Sequence, residues 1–363
     1  MNIDEIYMRM AISIAKKGIG EASPNPMVGA VVVKNGKIVG KGYHKRYGEA
    51  HAEVNALNDA GSKAKGATLY LNLEPCCHFG KTPPCTDAVI KAGIKRVVAG
   101  MTDPNPKVSG KGFDILKKAG IEVSTGILEE ECRRLNEGFI KRIKTGRPFV
   151  ILKVAASLDG KTATRNKESK WITSEASRRC VHRLRGQVDA IMTGIGTVLA
   201  DDPLLTPRVG RIKKAPLRVV VDSLLRTPAS TKIAGKNTIF ATTNKASAKA
   251  VKSLESQGAE VAFFKAREGK VDLSLVMDHL GKRGINSVMV EAGPELSGAL
   301  LEAGLVDKVL FFYAPKIIGG VGAQGMVGGE GIDRLSEAIP LKEMKVKRLG
   351  EDIMIEGYVH RDN

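Results

Sequence analysis

Aromatic side chains are scarce in this 363-residue chain, only 4% of it, with a single tryptophan. Proteins that hold single-stranded nucleic acid use aromatic faces to stack bases, so the shortage argues against nucleic acid as a partner despite a net charge of +18. That charge has no focus: the excess is +8 over residues 1–145 and +10 over the remainder, with no basic arm. It reads as a generally basic surface, or as local pockets for small phosphorylated ligands. Long apolar runs are also missing. None approaches the roughly 18 residues that a membrane-spanning helix needs, and Asp4, Glu5 and Arg9 interrupt the stretch where a signal peptide would be apolar. No membrane partner is expected, and cytoplasm is the expected compartment. Cysteine occurs only at 76, 77, 85, 132 and 180. An odd, small number argues against a disulfide framework and for reduced thiols, some of them available to a metal. Two phosphate-binding signatures are incomplete. Gly194-Ile195-Gly196 is followed by Leu199 where a dinucleotide fingerprint would have its third glycine, and the Gly-rich stretch 319–331 lacks a following Lys-Ser/Thr. The latter reads as a flexible connection.

What is present alternates between strand and helix. Ile3, Ile6, Met10 and Ile14 fall on one face of an amphipathic first helix. Val28–Val33 and Ile38–Gly42 flank Asn35-Gly36, a hairpin signal. A helix over about His51–Ala60, strands at Ala67–Leu71 and Ile94–Gly100, and a closing helix over Leu128–Lys144 complete an α/β layered unit. Gly146 and Pro148 then mark a boundary, giving expected domains 1–145 and 146–363. The second domain shows strands near 149–155, 190–193, 218–222, 238–241, 260–264, 287–291, 308–313, 344–348 and 352–359. Helical stretches such as Ala246–Gln257 and Leu273–Arg283 lie between some of them.

The chemistry concentrates in the first domain. His51-Ala52-Glu53 opens one helix, and Pro75-Cys76 followed by Cys85 opens another. One imidazole and two thiolates make a three-ligand zinc set that leaves a fourth tetrahedral position for water, the mark of a catalytic centre. Zinc lowers the pKa of such a water from about 15.7 to about 7. Glu53, two residues beyond the imidazole, is placed to carry protons without binding the metal. This matches the zinc deaminases, whose pattern is His-x-Glu followed by Pro-Cys-x-x-Cys, except that eight residues rather than two separate the cysteines here. Cys77 and His78 are expected to be bystanders, and Cys132 and Cys180 core or surface thiols.

That departure is informative. Leu73-Glu74-Pro75-Cys76, the insertion ending in Pro83-Pro84-Cys85, Ser23-Pro24-Asn25-Pro26-Met27-Val28-Gly29 and Gly48-Glu49-Ala50-His51-Ala52-Glu53 together resemble the bifunctional riboflavin-pathway deaminase–reductase family. The resemblance extends over nearly the whole chain. It implies a cytidine-deaminase-like three-layer domain followed by a dihydrofolate-reductase-like domain, an α/β fold class in both halves. It also implies deaminase substrate contacts at Asn25, His44, Lys81, Asp103 and Asn105, with Lys81 a phosphate partner. Asp103-Pro104-Asn105-Pro106 follows a strand, where loops line sites, although Asp-Pro and Asn-Pro also initiate ordinary turns.

The second domain is less explicit by itself. Val290-Glu291-Ala292-Gly293-Pro294 reads as a strand end, a close-approach glycine and a proline in the first helical turn, a helix N-terminus suited to phosphate or a simple strand–turn–helix. Lys153–Lys161, Trp171-Ile172-Thr173, Thr197–Thr206 and Glu291–Pro294 are similar to the reductase half of the same family. The resemblance implies NADPH contacts at Ala155, Trp171, Thr197, Asp201 and Ser223, and along Gly293, Pro294, Glu295, Leu296, Ser297, Gly298 and Ala299. It implies substrate contacts at Ser169, Arg185, Leu205, Arg208 and Glu291. Arg185 and Arg208 suit a sugar phosphate. Asp201 and Glu291 are candidates for protonating or orienting the opening sugar.

The expected function is zinc-dependent deamination of a diaminopyrimidinone ribosylamine 5′-phosphate, then NADPH reduction of its ribosyl group to ribityl. The partners expected are small phosphorylated pyrimidines, without nucleic acid; assembly of like chains stays open. Two alternatives stand beside this reading: a single-activity nucleotide deaminase with a degenerate second domain, and a basic RNA-binding protein with structural zinc.

Overall fold

In the computed structural model, which describes residues 2–210 and 214–359, the first helix, α1 (Ile3–Ala15), starts where the Asn2 side chain accepts from the Asp4 amide at 3.2 Å. Its buried face overlaps the expected one in part: Met10 and Ile14 pack, half-buried, against the core. Ile3 and Ile6 are exposed, whereas Met8, Ala11, Ile12 and Ala15 are buried. Close approach to the sheet explains this: a Cβ added at Gly29 would run into the Ala11 carbonyl and the Ala15 amide. The contact therefore selects small residues at 11 and 15, with Met8 and Ile12 filling the space beside them. Asp4, buried on the same helix, is held by Arg96 at 2.9 and 3.0 Å and by the Tyr70 hydroxyl at 2.7 Å.

The chain divides into two units, Met1–Gly146 and Arg147–Asn363. In the first, β1 (Gly29–Lys34), β2 (Lys37–Tyr43), α2 (Ala52–Ala60), β3 (Thr68–Leu71), α3 (Cys85–Lys91), β4 (Arg96–Ala99), α4 (Lys111–Lys118) and β5 (Glu122–Thr125) follow α1. The sheet order is β2-β1-β3-β4-β5, antiparallel on either side of β1 and parallel beyond. Gly29 pairs with Tyr43, and its neighbour Ala30 pairs with Gly42, so Gly29 and Gly42 face opposite sides of the sheet. Gly29 meets α1, while Gly40 and Gly42 meet the backbone of α2. The sheet thus lies between helices, a three-layer arrangement.

The closing helix is not continuous. It is α5 (Glu129–Leu135) and α6 (Glu137–Thr145), broken at Asn136. The buried Asn136 amide accepts from Met27 N at 2.8 Å and donates to Met27 O at 3.0 Å, tying the break to the loop before β1. Gly146, at φ 75°, ends α6 in the left-handed conformation that suits glycine at a helix C-terminus.

The second unit contains β6 (Phe149–Ser157), β7 (Lys161–Ala163), α7 (Glu175–Arg185), β8 (Ala190–Gly194), α8 (Ile195–Asp201), β9 (Leu217–Val221), β10 (Thr238–Thr242), α9 (Ala248–Ser256), β11 (Glu260–Phe263), β12 (Ala266–Arg267), β13 (Lys270–Val271), α10 (Leu273–Lys282), β14 (Ser287–Val290), α11 (Pro294–Glu302), β15 (Lys308–Ala314), β16 (Gln324–Gly325), β17 (Leu341–Leu349) and β18 (Asp352–Val359). Nine of these strands form one sheet in the order β11-β10-β9-β8-β14-β6-β15-β18-β17, parallel from β11 to β15 and antiparallel at β18 and β17. Both faces are covered. Ala190, Met192, Val288 and Val290 enter one core, and Ile191 and Met289 enter another, which is why these strands read as unbroken apolar runs. The Gly-rich stretch 319–331 is more than a flexible connection. Gly328 N donates to Pro294 O at 2.9 Å, and a Cβ at Gly298 would collide with the Gly328 carbonyl, so the stretch docks on α11. Among the described residues no helix is long and apolar enough to cross a membrane.

Candidate active site

His51 caps α2 and Glu53 lies in its first turn, while Cys85 opens α3 and Cys76 lies in the loop before it. The Cys85 and Thr86 amides donate to Cys76 Sγ at 3.4 Å and to Cys76 O at 3.2 Å, so the start of α3 fixes both sulfurs together. His51 Nδ1 is 3.3 Å from Cys85 Sγ and 3.5 Å from Cys76 Sγ. Zn–S near 2.3 Å and Zn–N near 2.0–2.1 Å in a tetrahedron give an N-to-S edge of about 3.6 Å. The three donors therefore fit zinc, and they form the one such His/Cys/Asp/Glu cluster among the described residues. Cys77, whose thiol donates to Lys107 O at 3.7 Å, and His78 stay outside it. Hydrogen bonding with Cys85 and His51 drives the Cys76 thiol down to about 4, while the same bond and burial push Cys85 up.

Glu53 is buried, and burial followed by the neighbouring Cys76 charge pushes its carboxyl up to about 7. It shares a cavity of about 270 Å³ with Asn25, His44, Lys81, Asp103, Asn105, His51 and Cys76, so the expected deaminase positions converge. His44 is buried with both nitrogens engaged, Nδ1 with Ala50 O at 3.3 Å and Nε2 with Asn25 Nδ2 at 3.1 Å. Burial lowers its pKa, which suits a neutral ring donating to Ala50 and accepting from Asn25. The Asn25 carbonyl oxygen is left for a ligand. Asp103 and Asn105 do make turns, accepting from Asn105 N at 2.8 Å and Lys107 N at 3.1 Å. Burial lifts the Asp103 carboxyl to about 6.

Sequence reasoning overlooked Glu74, although it lies inside the Leu-Glu-Pro-Cys signature. Its buried carboxylate accepts from the amides of Asp103, Gly110 and Gly112 at 3.1, 2.9 and 3.0 Å and so holds the loop that forms one wall. Phe139, on α6, also lines the cavity. No spacing pattern connects it to the metal motif, because the chain returns from more than fifty residues away.

In the second unit the expected residues gather at the carboxyl ends of the parallel strands, where open α/β sheets bind ligands. Ala155 lies in β6, Thr197 in α8 just after β8, Ser223 just after β9, and Glu291 and Gly293 just after β14. Thr197 and Gly293 are close neighbours, and Ser169 Oγ is 3.5 Å from Asp201 Oδ1. Asp201 also pairs with Lys170 at 3.2 Å. Trp171 is 65% exposed under the Arg178 guanidinium, 4.7 Å from its ring centroid. Ser223 Oγ accepts from Val271 N at 3.0 Å. In the turn at α11, Ser297 and Gly298 are buried, and the Ser297 hydroxyl donates back to Gly293 O at 2.9 Å. Pro294, Leu296 and Ala299 are half-buried, while Glu295 is exposed and pairs with Lys270.

Arg185, expected at the substrate, is paired with Glu291, another of the expected substrate contacts. Its guanidinium grips Glu291 in two bonds, at 2.6 and 3.0 Å, and donates to Thr206 O at 3.3 Å. Lys153 Nζ completes the cluster at 3.3 Å. Burial raises the Glu291 carboxyl, but Lys153 and Arg185 more than reverse this and leave it at about 2. Arg208 is exposed and has no ion-pair partner among the described residues. Leu205 packs its side chain into the core at φ 49°, so only its backbone is available to a ligand. Lys153, visible in its motif but given no role there, is a third residue that sequence reasoning missed.

Comparison with known proteins decides the family. Residues 148–355 match the RibD C-terminal domain, and residues 1–101 match the cytidine and deoxycytidylate deaminase zinc-binding region. The riboflavin biosynthesis protein RibD of Aquifex aeolicus is 47% identical over 97% of this chain and 98% of its own length. The chain belongs to the RibD family. The Escherichia coli RibD is 46% identical over 97% of this chain and 98% of its own length. Among solved structures, Acinetobacter baumannii RibD superposes with a TM-score of 0.90 at 39% identity, covering 99% of both chains. A Thermotoga maritima diaminohydroxyphosphoribosylaminopyrimidine deaminase/5-amino-6-(5-phosphoribosylamino)uracil reductase does so at 0.87 and 37%, with the same coverage. This RibD-family chain is a bifunctional deaminase and NADPH-dependent reductase of riboflavin biosynthesis. It has a zinc-binding cytidine-deaminase-like domain and a dihydrofolate-reductase-like domain.

Proposed function

We propose that the first unit deaminates 2,5-diamino-6-ribosylamino-4(3H)-pyrimidinone 5′-phosphate, and that the second reduces the ribosyl group of the product to ribityl. The carrying observation is a buried carboxyl group, Glu53, in the same cavity wall as His51 and Cys76, which cluster with Cys85 at zinc-binding separations. His51, Cys76 and Cys85 would hold the ion, which when bound makes water a nucleophile near neutral pH. Glu53 takes a proton from the attacking water and gives it to the ring nitrogen beside the reacting carbon; it then takes the proton of the newly formed hydroxyl and passes it to the departing amine as the carbonyl forms. Water is consumed and ammonia released. Buried beside the metal ligands and held at the start of a helix, the carboxyl is placed to serve both transfers. Asn25, its amide fixed by His44, accepts from the ring; Asp103 and Asn105 offer polar groups on the opposite loop; Lys81 meets the phosphate.

For the reductase, NADPH supplies the hydride when bound. Ala155, Trp171, Thr197, Asp201, Ser223 and the Gly293–Ala299 turn are assigned to it because they surround the carboxyl ends of β6, β8, β9 and β14. Ser169, Arg185, Arg208, Glu291 and the Leu205 backbone are assigned to the substrate. Glu291, kept ionised by its two cations, orients the opening sugar and accepts its hydroxyl hydrogen bond. Lys153 is the proton donor of the cluster, and Arg185 holds Glu291 in place. The reduced thiols at the metal fit a reducing compartment, the cytoplasm.

The test supplies the diaminopyrimidine phosphate with and without NADPH and follows ammonia, product mass and absorbance at 340 nm. Ammonia should appear without NADPH, and NADPH should be consumed only once deaminated product exists. Oxidation of NADPH by the undeaminated substrate would overturn the assigned order.

A further inference from the structure

Lys81 lies on the loop between the two cysteine ligands, exposed at the rim of the deaminase cavity. Among the described residues its ammonium has no carboxylate partner; it stands over the ring of Tyr47, 4.2 Å from the centroid. Tyr47 also lines the cavity and is 43% exposed. Its segment is pinned from behind, with Tyr47 N donating to Glu21 O at 3.4 Å and Arg46 Nη2 to Glu21 Oε1 at 2.9 Å. The same Arg46 lies 3.9 Å from Glu49, whose carboxyl group belongs to the cavity lining. Arg46 therefore ties the segment that carries Tyr47 to Glu21 and Glu49.

We propose that Tyr47 is a positioning residue that selects phosphorylated substrates, holding the Lys81 ammonium over its ring where the 5′-phosphate monoester arrives. This rests on the reading of Lys81 as the phosphate partner. The physical point is that an aromatic face orients a cation without neutralising it. A carboxylate would hold Lys81 as firmly but consume the charge that a phosphate dianion needs. A free lysine, with its large rotamer entropy, would have to be ordered at each binding event. Tyr47 removes that ordering cost and leaves the charge available.

The experiment measures ammonia release by the zinc-loaded full chain on the phosphorylated diaminopyrimidine and on its dephosphorylated counterpart, for Tyr47→Ala, Tyr47→Phe and Lys81→Ala. Tyr47→Ala should raise KM for the phosphate ester about two- to fivefold, the range of an exposed cation–π contact, with kcat unchanged. Tyr47→Phe keeps the ring and should restore the wild-type KM. The ratio of KM values for the two substrates isolates the phosphate contribution, and zinc content with circular dichroism reports whether each variant is folded and loaded. Equal losses on both substrates, a fall in kcat alone, or a Phe variant as impaired as the Ala variant would each overturn the proposal. If Lys81→Ala raises the KM ratio of the two substrates and Tyr47→Ala does not, the Tyr47 role fails alone. If Lys81→Ala leaves that ratio unchanged, the phosphate reading itself fails.

Discussion

Replacing Glu291 by glutamine should unbalance the reductase unit before any chemistry is measured. The Glu291 side chain is 10% exposed between Lys153 and Arg185, themselves 14% and 12% exposed. Its carboxyl falls from an ordinary 4.5 to about 2 on folding, which corresponds to a stabilisation on the order of 3 kcal/mol at neutral pH. Because the folded value lies below the unfolded one, that contribution is fully present above about pH 4.5 and is lost as the pH falls towards 2. Glu291→Gln removes it and leaves two buried cations facing each other, so a loss of about 3–5 kcal/mol is expected. Urea unfolding at pH 7, followed by circular dichroism and by Trp171, measures it; the only tryptophan lies in the second unit and reports that unit selectively. The difference between variant and wild type should shrink as the pH approaches 2. Adding Lys153→Met should recover part of the stability without recovering NADPH oxidation. An unfolding midpoint unchanged by Glu291→Gln at pH 7 would refute the reasoning.

In the deaminase, Glu53→Gln should abolish ammonia release while zinc, measured by elemental analysis, stays at wild-type content; retained release would mean that another group moves the protons. Cys85→Ser should lower zinc content and deamination together while NADPH oxidation on supplied deaminated product continues, and a fully loaded serine variant would contradict the ligand set. Glu74→Gln places an amide group among three backbone donors, so a cost of about 1–3 kcal/mol is expected. Faster hydrogen exchange at residues 103–112 and a raised deaminase KM should accompany it; unchanged exchange there would remove Glu74 from its supporting role.

The metal centre was legible in the chain because its geometry is local. His51 and Glu53 share the start of one helix, and Cys76 meets Cys85 through the turn that opens another, so spacing alone carries the donor set. Strand runs in the second unit were legible for a related reason. A sheet covered on both faces needs apolar residues at every strand position, and composition reports this directly. Tertiary contact decided the rest. The face of α1 was read only in part, through Met10 and Ile14, because the sequence does not reveal that Gly29 brings two backbones together and demands small residues at 11 and 15. The break at Asn136 depends on a hydrogen-bonded partner, Met27, over a hundred residues away. Glu74 acquires its purpose only when the loop at 103–112 folds over it, and Arg185 turns to Glu291 only once β14 lies beside β8. A ligand set built on a helix start is encoded in neighbouring residues. A buried charge takes its role from whichever distant groups share its low-dielectric surroundings, and the folded chain alone brings those groups together.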